Sequence, residues 1–327
     1  MIPYSFLDLA IVSEGNDISQ TLENSVKTAQ AAEQSGYTRY WFAEHHNMKS
    51  VASSATSVLI GHIAGKTNTI RVGSGGIMLP NHSPLVIAEH FGTLASLYPG
   101  RIDMGLGRAP GTDQITAAAL NPNFLENVRH FPENVQKIQQ YLSGKNANAQ
   151  VRAIPGEGTD IPIWMLGSST DSAYLASSLG LPYAFASHFA PAQMTAAFDI
   201  YTNNYQSKEH PPKKMACVNV IIAPTTEEAE RIATSFYRMF LGMIRNQRGY
   251  LQAPIDTMEG VWDPGEEAYV RQMTYCSFIG TKETVKAEIS RFINRFNLSE
   301  IMVTSPVYSL EDKLYSIEAF SEVMNSL

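Results

Sequence analysis

An apolar run over residues 6–12 gives way, after Asp17, to apolar positions at Ile18, Leu22, Val26, Ala29 and Ala32. Spacing by three and four puts these residues on one helix face, so the stretch reads as a strand followed by an amphipathic helix. Asp17, with Gln20 three residues on, predicts the helix start. Gly36 predicts its end, just ahead of a second apolar run at 40–43.

The alternation continues along the chain. Strands are expected at 70–79, 101–106, 161–166, 183–186, 215–223 and 300–304. Helical spacing covers 54–66, a segment opened by Ser83-Pro84, then 125–142, 172–179, 192–205, 227–248, 285–296 and 310–324. Eight strands alternating with helices predict a closed parallel (β/α)8 TIM barrel rather than an open doubly wound sheet. Barrels of this kind run to about 250 residues or more as one unit, so the whole chain, 1–327, is read as a single domain. The excess length lies at 249–280, an insertion between the seventh and eighth strands that would be either a lid or an irregular packed excursion.

Composition narrows the partners. The chain is 44% hydrophobic and 17% charged, which describes an ordinary globular protein. Its net charge of -7 is spread along the sequence without a basic stripe, which argues against nucleic acid. No apolar run reaches membrane-spanning length, and the start lacks the cationic and apolar pattern of a signal peptide. Cys217 and Cys276 have no metal-ligand spacing and fit a reducing compartment. A cytoplasmic protein is expected.

In a barrel the C-terminal strand ends line the active-site mouth, so what ends each strand carries the chemistry. Strand two ends Glu44-His45-His46, strand three holds Gly73-Ser74-Gly75-Gly76, strand four ends Gly107-Arg108, strand five ends Gly167-Ser168-Ser169-Thr170, and strand six ends Ser187-His188. His45 and His46 are adjacent and point to opposite faces of an extended chain, which argues against a joint metal site. His62, His82, His90, His130 and His210 read as structural. Arg108 suits either an anion or a salt bridge. Ser168, Ser169 and Thr170 lead into a helix and could cradle a phosphate or merely cap it. The glycines around Ser74 mark either a flat ligand against the backbone or tight packing inside the barrel.

Several segments together resemble the bacterial luciferase-like flavin-dependent monooxygenases: 40–46 (YWFAEHH), 70–80 (IRVGSGGIMLP), 99–108 (PGRIDMGLGR), 162–169 (PIWMLGSS), 180–182, 184–191 and 278–281. The resemblance spans nearly the whole chain and is specific for fold and flavin, not for substrate. It implies that Arg108 and Ser168, Ser169 and Thr170 hold the phosphate of FMN. It implies also that Ser74-Gly75 forms a cis peptide under the isoalloxazine ring, with His188 nearby and His45 as the acid/base group. Gly75 departs from luciferase, where that position carries a side chain. Glu44 would orient His45 or serve as a structural partner, the latter being favoured. The implied activity is oxidation of a small organic substrate by reduced FMN and O2, with a separate flavin reductase as the source of reduced flavin, because no G-x-G-x-x-G fingerprint follows a strand. A deazaflavin-dependent dehydrogenase and a non-catalytic flavin-binding protein are the alternatives. The resemblance further implies a homodimer, for which the apolar second and third helices could supply the face.

Overall fold

The computed structural model describes residues 2–207 and 209–327. The first half holds β1 (Tyr4–Asp8), α1 (Ile18–Gln34), β2 (Arg39–Phe42), α2 (Thr56–Ala64), β3 (Arg71–Ser74), β4 (Ile77–Met78), α3 (Pro84–Leu97) and β5 (Ile102–Gly107). Next come α4 (Gln114–Leu120), α5 (Phe124–Arg129), α6 (Phe131–Leu142), β6 (Ile163–Gly167), α7 (Thr170–Ser178), β7 (Tyr183–Phe185) and α8 (Met194–Asn204). The chain closes with β8 (Lys214–Ile222), α9 (Thr226–Ile244), α10 (Pro264–Met273), β9 (Ser277–Gly280), α11 (Lys282–Phe296), β10 (Glu300–Thr304) and α12 (Leu310–Asn325).

Strands β1, β2, β3, β5, β6, β7, β8 and β10 form a closed parallel barrel, shut where β10 pairs with both β1 and β8. Alternation along each strand sorts the side chains. Leu7, Trp41, Trp164, Ala184, Met215 and Met302 fill the interior. Their neighbours Phe6, Tyr40, Phe42, Met165, Phe185 and Val303 belong to the larger core beneath the helices. Near the N-terminal end the interior is ionic: Arg39 bonds Asp103 at 2.6 Å and Glu300 at 2.7 Å, and its guanidinium lies 5.1 Å from the Trp164 ring.

Local capping follows the sequence. Asp17 accepts the Gln20 N–H at 2.7 Å, and Pro84 opens α3 behind Ser83. Four expectations change. The first strand ends at Asp8 instead of running to residue 12, because the Asp8 carboxylate takes the Ala10 N–H at 2.7 Å and turns the chain. The expected strand over 70–79 is broken: β3 stops at Ser74, and after Gly75 and Gly76 the short β4 pairs with the end of β5. The expected helix over 125–142 divides into α5 and α6, with Pro132 in the first turn of α6. A strand not foreseen, β9, pairs with Asn219–Ile222 of β8, beyond Ala216, where the pairing of β7 with that strand ends.

The 249–280 insertion is an ordered excursion. It contains α10 and β9, and Met258 and Val270 pack against Phe236 and Phe240 of α9. Leu251 exchanges backbone hydrogen bonds with Val12 and Glu14 beyond β1, so the insertion meets the mouth on that side.

Candidate active site

Residue parity places the two histidines after β2. Trp41 and Ala43 face the interior, so His45 continues toward the mouth while Glu44 and His46 turn to the helical layer. His45 Nδ1 lies 3.1 Å from the carbonyl of Gly111. Burial holds its pKa below the ordinary histidine range, and the charges of Arg248 and His46 act in the same direction, against the Gly111 hydrogen bond and Glu44. His188, beyond β7, has its pKa pushed down to about 3, first by burial and then by repulsion from His45. Two neutral imidazoles thus share one mouth. His188 Nδ1 is buried and has no partner among the described residues, leaving one polar atom for a ligand.

Glu44 is a partner of His46 and His82, not of His45. Its Oε1 accepts from Nε2 of His46 and of His82, each at 2.8 Å, and its Oε2 accepts the Met78 N–H at 3.0 Å. Burial would raise this carboxyl, but the two histidine hydrogen bonds and the Met78 N–H outweigh it and bring the pKa to about 2. Donor atoms of Glu44, His46 and His82 all lie within 4.8 Å of one another, a spacing compatible with a divalent ion. One ionised carboxylate receiving two imidazole N–H groups also satisfies the cluster as it stands.

Arg108 and Ser168–Thr170 are brought together because β5 and β6 are neighbours, with Leu106 opposite Met165. Arg108 Nη2 reaches Oδ2 of Asp171, in the first turn of α7, at 3.3 Å. Both side chains are about half exposed or more, at 48% and 67%, so this ion pair contributes little to stability and can yield to a ligand. Ser169 is the N-cap residue of α7, yet its hydroxyl makes no capping bond. The simple capping role therefore fails for Ser169, and the helix start keeps donors free for an anion beside a guanidinium. Thr170 N–H is already taken by Gln193 Oε1 at 3.0 Å.

The glycine-rich stretch corrects one expectation. The cis peptide lies at Gly75-Gly76, one bond beyond the expected Ser74-Gly75. Ser74 is fully buried, and its hydroxyl is spent on the Gly105 backbone, donating to the carbonyl and accepting from the N–H, both at 2.9 Å. A side chain at Gly75 would meet Leu7 at 2.6 Å, and one at Gly76 would meet the Gly105 carbonyl at 2.8 Å. Close packing inside the barrel thus favours glycine at both positions.

Sequence reasoning missed Asn81, Gly111 and Arg248. Asn81 donates to the Pro110 carbonyl at 3.0 Å and lies 3.4 Å from Glu44 Oε1. Arg248, just ahead of the insertion, touches Met48 at 3.9 Å and opposes protonation of His45. No local pattern announces them, since each acts across at least 29 residues of chain.

The model of the luciferase-like monooxygenase family matches residues 5–296. A luciferase-like monooxygenase of Escherichia coli strain K12 is 44% identical over all of this chain and 98% of its own length. Among solved structures, apo-MsnO8 superposes with a TM-score of 0.93 at 28% identity, covering 99% of each chain. The oxygenating constituent of 3,6-diketocamphane monooxygenase from a Pseudomonas putida plasmid, a type II Baeyer–Villiger enzyme in complex with FMN, gives 0.75 at 17% identity, covering 98% of this chain and 97% of its own. The barrel, the strand-end residues and the matched length agree: the chain belongs to the luciferase-like monooxygenase family and is an oxidoreductase.

Proposed function

We propose that the protein is a flavin-dependent monooxygenase that takes reduced FMN from a separate reductase and uses O2 to oxidise a small organic substrate. The observation that carries this reading is the convergence, on one barrel mouth, of an anion cradle at Arg108 and the α7 start with the neutral pair His45 and His188. Arg108, Ser168, Ser169 and Thr170 would hold the phosphate, while the orphaned Nδ1 of His188 would meet a polar edge of the flavin. Bound reduced FMN would supply two electrons, so that one atom of O2 enters the substrate and the other leaves as water. His45, kept neutral by burial, would accept or return a proton at the substrate.

The insertion, bonded through Leu251 to the segment after β1, would help shield bound flavin from water. No nicotinamide fingerprint follows a strand, which favours a partner reductase over a resident NADPH site. Buried free thiols at Cys217 and Cys276 fit the cytoplasm, and no helix among the described residues is long and apolar enough to cross a membrane. A second copy would cover α2 and α3, where Val58, Val86 and Leu97 are exposed at 68%, 41% and 64%. Light scattering should then give twice the 36.0 kDa chain mass, and a monomer at micromolar concentration would remove this part of the reading.

The deciding experiment is an anaerobic titration with reduced FMN, reduced riboflavin and a reduced deazaflavin, followed by O2 and a panel of small ketones and thioethers. Arg108→Met should weaken reduced FMN about 10- to 100-fold, as loss of a charged hydrogen bond does, and leave reduced riboflavin unchanged. Equal weakening of both would detach Arg108 from the phosphate. Tight deazaflavin binding without oxygen consumption would replace the monooxygenase by a dehydrogenase.

A further inference from the structure

The bond from His45 to Gly111 has a direction that the chemistry dictates. A carbonyl oxygen only accepts, so Nδ1 of His45 carries the proton and Nε2 of the neutral ring is left as an acceptor. What holds that carbonyl in place is a chain of contacts leading back to Glu44. Gly111 has φ +65°, and a Cβ there would come within 2.6 Å of the Glu44 carbonyl, so only glycine lets this loop lie against the end of β2. The preceding carbonyl, that of Pro110, is gripped by Asn81 Nδ2 at 3.0 Å.

Asn81 can do this in one amide orientation only. Its Nδ2 faces two acceptors, the Pro110 carbonyl and Glu44 Oε1, and turning the amide over would bring an oxygen against both. In this orientation Asn81 Oδ1 is buried with no partner among the described residues. A buried acceptor left unmatched is costly, and an apolar side chain of the same shape would avoid that cost. The ionised Glu44 is itself immobilised by His46, His82 and the Met78 N–H, so it anchors Asn81.

We propose that Asn81 is a positioning residue: anchored by Glu44, it pins the Pro110-Gly111 carbonyls and thereby holds His45 in the Nδ1–H tautomer, with Nε2 presented to the mouth as the proton acceptor. The inference deepens the proposed acid/base role of His45 and rests on it for its functional meaning, whereas the tautomer itself does not depend on turnover. Neighbouring charges do not impose the tautomer. Arg248 and His46 bear on how readily the ring takes up a second proton, and His188 faces it as a neutral ring.

Nitrogen-15 NMR of the histidine-labelled full chain, without flavin, tests it. The His45 imidazole should show a protonated Nδ1 and an unprotonated Nε2. In Asn81→Leu the same ring should move to a mixture of tautomers, and kcat should fall at least about tenfold with reduced-FMN affinity unchanged. Asn81→Ser, which keeps one donor and is smaller, serves if the leucine variant does not fold, and should restore part of the Nδ1–H population. A wild-type ring protonated at Nε2, or a variant with the wild-type tautomer and kcat, would overturn the proposal. A His45→Gln protein with full turnover would instead refute the acid/base reading and leave the tautomer result standing.

Discussion

His45→Asn should oxidise whichever ketone or thioether the parent protein accepts about 10²- to 10⁴-fold more slowly, the loss expected when a positioned acid/base group is removed. Reduced FMN should bind as before, because the anion cradle lies at the ends of β5 and β6, two and three strands away around the barrel from β2. The pH profile supplies a second check with a definite sign. Burial and the nearby charges of Arg248 and His46 disfavour the imidazolium, so the neutral, proton-accepting form persists below the ordinary value of about 6.5. The acid limb of kcat/KM should therefore fall below that value, and Arg248→Gln should move it upward by removing an opposing charge. Turnover within a factor of about two of the parent in His45→Asn would assign proton transfer to another group, with His188 the nearest candidate.

Arg39→Met should destabilise the barrel by about 3–5 kcal/mol, the typical cost of removing one partner from a buried ion pair. Arg39 is the cation shared by two carboxylates whose side chains are 0% and 5% exposed, those of Asp103 and Glu300. Asp103 retains Arg71, so most of the loss is expected to fall on Glu300. Desolvation works against the guanidinium, and the attraction of Asp103 and Glu300 overcomes it, leaving the group more firmly charged than usual. The cation is therefore present at every pH where the fold survives. Urea denaturation of the two proteins measures the difference. A loss under about 1 kcal/mol would mean that water reaches the interior and screens the carboxylates once the arginine is gone.

These two expectations divide between local and distant sequence. That His45 and His46 serve different faces follows from strand alternation, and the structure sends His45 to the mouth and His46 to Glu44. Asp17, Gly36 and Pro84 mark helix ends because caps are contacts between residues three or four apart. The role of Arg39 was hidden, since its partners lie 64 and 261 residues away. The same holds for β9, which depends on β8 being longer than the strands beside it and presenting a free edge from Asn219 onward.

By itself, then, the sequence determined the alternation of strands and helices and the barrel they close into, because these depend on periodicity and capping within a few residues. Tertiary structure alone decided which strand ends touch. It put Arg108 beside Asp171 through the pairing of β5 with β6, and it moved the cis bond to Gly75-Gly76, where Gly105 and Leu7 crowd the backbone. It also bound Glu44 to His82 and Asn81 across 38 and 37 residues. Hydrogen bonds and packing of that kind depend on distances that exist only once the sheet has closed.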